Sequence, residues 1–316
     1  MHRLIIVILT ALIMTGGTLT TLPGASPGAR GETRAPADTA AAPLLVPTGL
    51  VYGAGELREP LGLDVDVRGF IFVADAMAGK VFRYAPDGSS IELEAPPSGA
   101  GIYPIDVAAS GSYVYVLDYA GNRLLRYDYK GAYLDVLLDF SQFPGMHPSS
   151  VTTSGGGRLL VTDARSHTVT VWSPLLDVEI VSGGYGWTPG SFNKPSKATF
   201  FDDERIAVAE TGNRRVQVLT GAGGYERYLE RTGGTGWNTP RYCCDGPGGV
   251  LLVADAGSGT VHLFSQRMEH LAAYGAAGGA AEFAPAAVAA GWDDLVYVAD
   301  LKSRTVIALR LVFPGN

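Results

Sequence analysis

Pro240 to Gly275 reads PRYCCDGPGGVLLVADAGSGTVHLFSQRMEHLAAYG. It holds a proline, a short apolar run, a Gly/Asp turn, an apolar run ending in an acid, a polar loop and a Thr-Val pair that opens a third apolar run. The same order occurs six times. The prolines are Pro60, Pro104, Pro148, Pro195, Pro240 and Pro285, at spacings of 44, 44, 47, 45 and 45. The acids are Asp75, Asp118, Asp163, Glu210, Asp255 and Asp300, at spacings of 43, 45, 47, 45 and 45. Two marker series that keep step over six copies define a repeat. A period in the forties with three or four short strands per copy belongs to a β-propeller blade, so the chain is expected to be an all-β, six-bladed propeller.

Four copies, EPLGLDVDVRGFIFVADAMAGKV, YPIDVAASGSYVYVLDYAGNRL, KPSKATFFDDERIAVAETGNRRV and APAAVAAGWDDLVYVADLKSRTV, carry a further likeness. They resemble the blades of NHL-repeat propellers, which run roughly P-x-x-V-A, turn, V-A-D, loop, N-R-V. The resemblance covers about Val46 to Phe313. Glu210 departs from the usual acid, the Asn-Arg pair is kept only at Asn122-Arg123 and Asn213-Arg214, and His147 to Trp172 is the weakest copy. The resemblance implies a fold; because propellers host many unrelated activities, function has to be read from individual residues.

One propeller accounts for nearly all of the 316 residues, and 42 glycines beside 17% charged residues suit many short strands joined by tight turns. A net charge of −7 argues against nucleic acid as a partner, since affinity for its backbone needs clustered Lys and Arg. The N-terminus, MHR followed by the apolar run LIIVILTALIM, has the length of a signal peptide. Residues 1–25 are read as that signal, with an uncleaved anchor as the alternative. Residues 26–46 are read as a disordered Pro/Ala/Gly-rich linker, and 47–316 as the propeller. The protein is then expected to be secreted or periplasmic. Contact with a membrane follows only if the N-terminal segment is retained as an anchor facing outside the cytoplasm.

The sixth copy stops soon after its third strand, so one strand is missing. The apolar run Leu50–Tyr52, before the first proline, is expected to supply it and so to remove an exposed sheet edge. Fourth strands are otherwise expected at Arg227–Glu230 and His270–Tyr274. With strands a to d antiparallel in each blade, the b–c and d–a loops emerge on one face and the a–b and c–d turns on the other. The first face collects Lys80, Arg123, Arg165, Arg214, Arg215, Lys302, Arg304 and His167. The second collects Asp66, Asp202, Asp203, Glu204, Asp245, Asp293 and Asp294. Two accounts compete for the cations: a positive binding face, or ion pairing with the acids that end strand b. The acids themselves fit turn-capping better than a calcium site, because one stands in the same turn of every blade.

Catalytic signatures are missing. The residues that follow the blade prolines are Leu61, Ile105, Ser149, Ser196, Arg241 and Ala286. Propeller lyases place zinc-binding histidines there, so a channel metal, calcium or zinc, is not supported by ligand placement. His147, His167, His262 and His270 occupy different strand positions and are not expected to converge on one metal. Cys243 and Cys244 align with core positions of other blades and should point to opposite faces of their strand. Phe192, Trp237 and Phe283 recur before prolines and read as packing between blades, whereas Tyr185 and Trp187, in the long insertion GGYGWTPGSFNKP, are candidates for exposure. The expected function is a non-catalytic binding or scaffolding module for a protein, peptide or glycan, preferably anionic, on the b–c and d–a face. Its binding residues are Arg241, Lys80, Arg123, Arg214, Arg215, Arg304, Tyr185 and Trp187. A metal-dependent lyase or lactonase with its site in the central channel is the alternative.

Overall fold

The computed structural model describes residues 42–97, 99, 101–232, 236–275, 283–291 and 293–313; the signal segment and most of the linker lie outside them. Six four-stranded antiparallel sheets form the molecule. Blade one is β2 (Pro60–Val65), β3 (Ile71–Asp75), β4 (Lys80–Tyr84) and β5 (Ser90–Glu92), and blade two is β6 (Pro104–Ala109), β7 (Tyr113–Asp118), β8 (Arg123–Asp128) and β9 (Tyr133–Asp139). Blade three is β10 (Ser150–Thr153), β11 (Leu159–Asp163), β12 (Thr168–Trp172) and β13 (Val178–Gly183), and blade four is β14 (Pro195–Phe200), β15 (Ile206–Glu210), β16 (Arg215–Leu219) and β17 (Tyr225–Tyr228). Blade five comprises β18 (Pro240–Gly246), β19 (Val250–Asp255), β20 (Thr260–Phe264) and β21 (His270–Gly275). In blade six, β22 (Pro285–Ala290), β23 (Leu295–Asp300) and β24 (Thr305–Val312) are followed across the sheet by β1 (Leu44–Tyr52).

The innermost strands β2, β6, β10, β14, β18 and β22 neighbour one another in cyclic order, which makes the six sheets a ring. Every residue of β3, β11, β15, β19 and β23 is buried, because these strands are covered on both faces by the adjoining blades. That explains their continuous apolar composition. The core accordingly lies between blades. Phe72, Ala74 and Val81 of blade one pack on Val107, Val116 and Leu125 of blade two, and Ala207, Val216 and Val218 of blade four pack on Leu251, Val253 and Phe264 of blade five.

Two boundaries differ from those read in the sequence. Strand β1 begins at Leu44, three residues inside the expected linker, because Leu44, Leu45 and Val46 stand opposite Val312, Leu311 and Arg310 and Leu45 is buried. The fourth strand of blade four runs Tyr225–Tyr228 rather than Arg227–Glu230. Its tight turn closes at Gly223 (φ 82°), so pairing with Leu219 starts at Tyr225, and Leu229 turns inward to become buried. Phe192 and Trp237 are buried at the blade junctions, as their recurrence before prolines implies. No helix among the described residues is long and apolar enough to cross a membrane.

Candidate binding site along the propeller axis

Local chemistry consumes the acid that ends each second strand. Asp75 accepts hydrogen bonds from the N–H groups of Arg58 (2.6 Å), Glu59 (2.9 Å) and Ala78 (3.0 Å). Asp163 accepts from His147, Arg165 and Ser166, and Asp300 from Ala284, Lys302 and Ser303. All six side chains are buried. Asp75, Asp118, Asp163 and Asp300 each clip the segment before the blade proline to the b–c loop through backbone N–H donors, whereas Asp255 holds only the segment before its proline and Glu210 is satisfied mainly by side-chain donors.

The cations of the upper face divide into two groups. Arg123 pairs with Asp118 at 2.9 Å and Arg215 with Glu210 at 2.6 Å, while Lys80 reaches Glu92 at 2.5 Å. Arg215 also donates to the carbonyls of Trp187 (2.6 Å) and Ser191 (2.7 Å), which fastens the insertion of blade four. Arg214 and Arg304 are exposed and form no ion pair among the described residues. Both have positive φ, 51° and 56°, at the loop position that Gly79 and Gly259 fill in other blades. Branched or bulky side chains are disfavoured there, so the fold alone gives no reason for arginine.

The insertion presents an aromatic edge. Tyr185 and Trp187, 61% and 65% exposed, stand edge to face with ring centroids 5.2 Å apart, and His167 packs on Tyr185 at 4.9 Å. His147 instead packs on Tyr119 at 4.2 Å, so the two upper histidines of blade three have separate partners.

Two of the four histidines share a neighbourhood that their strand positions do not announce. His262 and His270 do come together, with Nδ1 and Nε2 3.0 Å apart across the β20–β21 pair. His262 stands opposite Ala273 and His270 opposite Phe264, and the register shift between Leu263 and Phe264 brings the two imidazoles together. Arg231 Nη1 lies 3.0 Å from His262 Nε2, and burial, helped by that guanidinium, lowers His262 to about 4. Among the described residues no group of three or more His, Cys, Asp or Glu side chains is placed to hold a metal ion.

Among the described residues, two cavities along the axis are separated by a polar knot. The upper one, about 360 Å³, is lined by Leu61, Ile105, Ser149, Ser196 and Arg241, five of the six residues that follow a blade proline, with Tyr103 and Tyr119 at its wall. Arg241 is half-buried there and makes no hydrogen bond or ion pair among the described residues. Burial lowers its affinity for its proton, against the opposing pull of Glu59 and Asp106. Below it, Lys197 Nζ lies 2.7 Å from Asp106 Oδ2 and 2.7 Å from the Val151 carbonyl, and the Tyr242 hydroxyl donates to Asp106 Oδ1 at 2.8 Å. The Lys197 ammonium also stands over the Tyr242 ring at 4.4 Å. Gly62 is needed for this junction: a Cβ there would overlap the Cα of Asp106, so any larger residue would force blades one and two apart.

The lower cavity, about 420 Å³, opens among the a–b turns and includes Asp64, Lys197, Cys244 and Asp245 in its lining. Burial pushes Asp64 up to about 6, offset in part by the hydrogen bond from Ala109 N–H. Burial and the neighbouring Asp202 push Asp245 up to about 7. Cys243 is fully buried with Sγ near the carbonyls of Lys197 and Ala207, whereas Cys244 is half-buried and both thiols are free. Cys243→Val with Cys244→Ala is expected to shift stability by less than about 1.5 kcal/mol and to leave ligand binding at the upper cavity intact, checked by urea unfolding and titration. Loss of that binding at unchanged stability would contradict it.

Asp245 makes a pH-dependent claim. Its folded value lies above the ordinary carboxylate value of 3.8, so the folded state prefers the proton; stability is greatest below that value and declines as pH rises towards about 7. Asp245→Asn removes the penalty. It is expected to raise stability at pH 8 by on the order of 2 kcal/mol and to change little at pH 4, read from urea midpoints at both pH values. His262 works in the opposite sense: its lowered value means stability is lost as pH falls from about 6.5 towards about 4.

Comparison with protein-family models finds none that matches the chain, and comparison with curated proteins finds none either. Solved structures do match. A streptogramin B lyase superposes with a TM-score of 0.62 at 14% identity, covering 85% of this chain and 97% of that one. A gluconolactonase from Xanthomonas campestris gives 0.61 at 14% identity, over 86% and 98%. A chain of a nidogen/laminin complex gives 0.57 at 16% identity, over 70% and 81%. The chain is therefore a six-bladed β-propeller. At these identities the likeness extends to the fold and no further.

The residues the sequence reading missed are those two places after the blade prolines: Gly62, Asp106, Ser150, Lys197, Tyr242 and Ala287. The signal was present in the repeat. In a register otherwise filled by small residues, a hydroxyl and one aromatic, blades two and four carry opposite charges, and opposite charges in one register of a ring can meet at its axis.

Proposed function

We propose that the protein is an exported propeller of the NHL type that acts as a non-catalytic binding module, taking a carboxylate-bearing peptide at its upper axial cavity. The supporting observation is Arg241: a half-buried guanidinium without an ion-pair partner among the described residues, in a cavity whose other lining is apolar and hydroxyl groups apart from Asp106, which is paired with Lys197. Fork-shaped donors of this kind favour a planar carboxylate, and the surrounding low dielectric strengthens the pair. Arg214 and Arg304 on the rim add steering, and Tyr185 with Trp187 offers apolar contact for the rest of the ligand. Lys80, Arg123 and Arg215 act through the fold, by holding the loops that carry the others.

The test is calorimetric titration of the full chain with the blocked tripeptide N-acetyl-Ala-Ala-Phe and with its C-terminal amide. The free acid is expected to bind at least tenfold more tightly than the amide, with Arg241→Met abolishing the difference. Equal binding of acid and amide, or an unaffected Arg241→Met variant, would overturn the reading. The alternative is a metal-dependent lyase or lactonase, a reading prompted by the names of the similar structures. A stoichiometric metal ion that survives dialysis of the purified protein would favour it.

A further inference from the structure

The lower cavity lies on the opposite side of the Asp106–Lys197–Tyr242 knot from Arg241, and its chemistry is different. Its rim carries Asp245 and Asp202. Asp202 is exposed with no ion-pair partner among the described residues, and Asp245 Oδ1 is buried without a hydrogen-bond donor. The remaining rim acid, Glu204, is already taken by Arg158. On the floor stands Lys197, only 5% of whose side chain is exposed. An ammonium has three hydrogens; two go to Asp106 and to the Val151 carbonyl, and the third has no hydrogen-bond acceptor among the described residues. Between rim and floor the walls include Leu63, Phe200 and Val288.

These features prescribe an occupant. Two uncompensated carboxylates, one of them held at about 7 by burial and by the other, call for a cation that can hydrogen-bond to both. The floor donor calls for an acceptor. That acceptor must be neutral, because Asp106 already sits on Lys197, and Asp64 lines the same cavity and would repel a second carboxylate. The walls call for an apolar side chain.

We propose that the lower cavity binds an α-amino amide, the chemical unit of a free peptide N-terminus, with its ammonium at Asp245 and Asp202, its carbonyl on Lys197 and its side chain against the apolar walls. The site is separate from the upper cavity. Nothing in this assignment depends on a ligand being bound at Arg241.

The probe is L-phenylalaninamide, titrated into the full chain at pH 7. Saturable binding is expected, at least tenfold tighter than for N-acetylphenylalaninamide, which lacks the charge, for phenethylamine, which lacks the acceptor, and for phenylalanine, whose carboxylate would meet Asp106 and Asp64. Asp245→Asn and Asp202→Asn are each expected to weaken binding at least tenfold. Since Asp245→Asn should also stabilise the fold at high pH, its loss of binding cannot be laid to misfolding. Saturating N-acetyl-Ala-Ala-Phe, which has a carboxylate but no free N-terminus, should not displace the amide, so failure at one cavity is distinguishable from failure at the other. The proposal is overturned if phenylalaninamide shows no saturable binding, if the acetylated or acceptor-free probe binds equally well, if calcium or magnesium alone competes it out, or if both Asn variants bind like the parent.

Discussion

Removal of residues 1–52 is expected to lower the thermal midpoint of the entire propeller by well over 10 °C, in one cooperative step. The deleted part includes β1, whose partner β24 would become the edge of blade six. Tyr52 is the reason the effect should be global. Its ring lies 5.9 Å from Tyr84 of blade one and 6.1 Å from Tyr297 of blade six, so one buried side chain touches the first and the last blade together. Burying Tyr52 and Leu45 is worth about 1.5–3 kcal/mol each. Adding the ladder hydrogen bonds and the exposure of Leu309 and Leu311 brings the loss to roughly 5 kcal/mol or more, against a total stability of about 5–15 kcal/mol for an ordinary domain. A Tyr52→Ala variant in the full chain isolates the ring contact, at about 3 kcal/mol. Unchanged melting of the truncated chain would show that β1 does not hold the ring.

The fold was legible because a repeat multiplies weak signals. A single Gly/Asp turn says little, but six turns, six acids and six prolines in step fix strand order, and with it the face on which each loop emerges. The order of β18 to β21 follows from the quoted stretch with no help from the rest of the chain. What the repeat could not fix were places where blades differ. Leu44–Val46 looked like linker because it belongs to no copy, and only its apolar composition marked it as strand. The fourth strand of blade four slipped by two residues because turn length there is set by Gly223, and glycine is too common in this chain for any one to be singled out.

The site was less legible for a related reason. Arg241 stood out because a charge directly after a blade proline is unusual in this chain, and its place in the upper cavity follows from the strand order. Arg123 and Arg215 have the same composition as a binding face but are spent on Asp118 and Glu210; whether a cation is free depends on side-chain reach, which spacing does not encode. His262 and His270 meet through a β-bulge near the β20–β21 turn, a feature with no marker in the residues themselves. Asp106 and Lys197, 91 residues apart in sequence, become neighbours only when the ring closes.

That pair should dominate the response of the molecule to mutation. Asp106→Asn strips the almost fully buried Lys197 ammonium of its counter-charge and leaves it neutral partners, the Val151 carbonyl and the Tyr242 ring among them, and is expected to cost about 3–5 kcal/mol. Lys197→Met should cost somewhat less, because Asp106 keeps two donors, the Tyr242 hydroxyl and the Val151 N–H. The double variant removes both charges at once. It leaves no ion stranded, and methionine fills most of the volume of lysine, so its cost is expected to fall below that of either single change. Urea unfolding of the four proteins gives a coupling energy, expected to be about 2 kcal/mol or more. Since blades two, three, four and five all contribute to the knot, each single variant should melt as one unit and not lose one blade ahead of the others. Additive costs in the cycle would mean that Asp106 and Lys197 do not depend on one another, and the knot would then be a coincidence of packing and not the element that divides the axis in two.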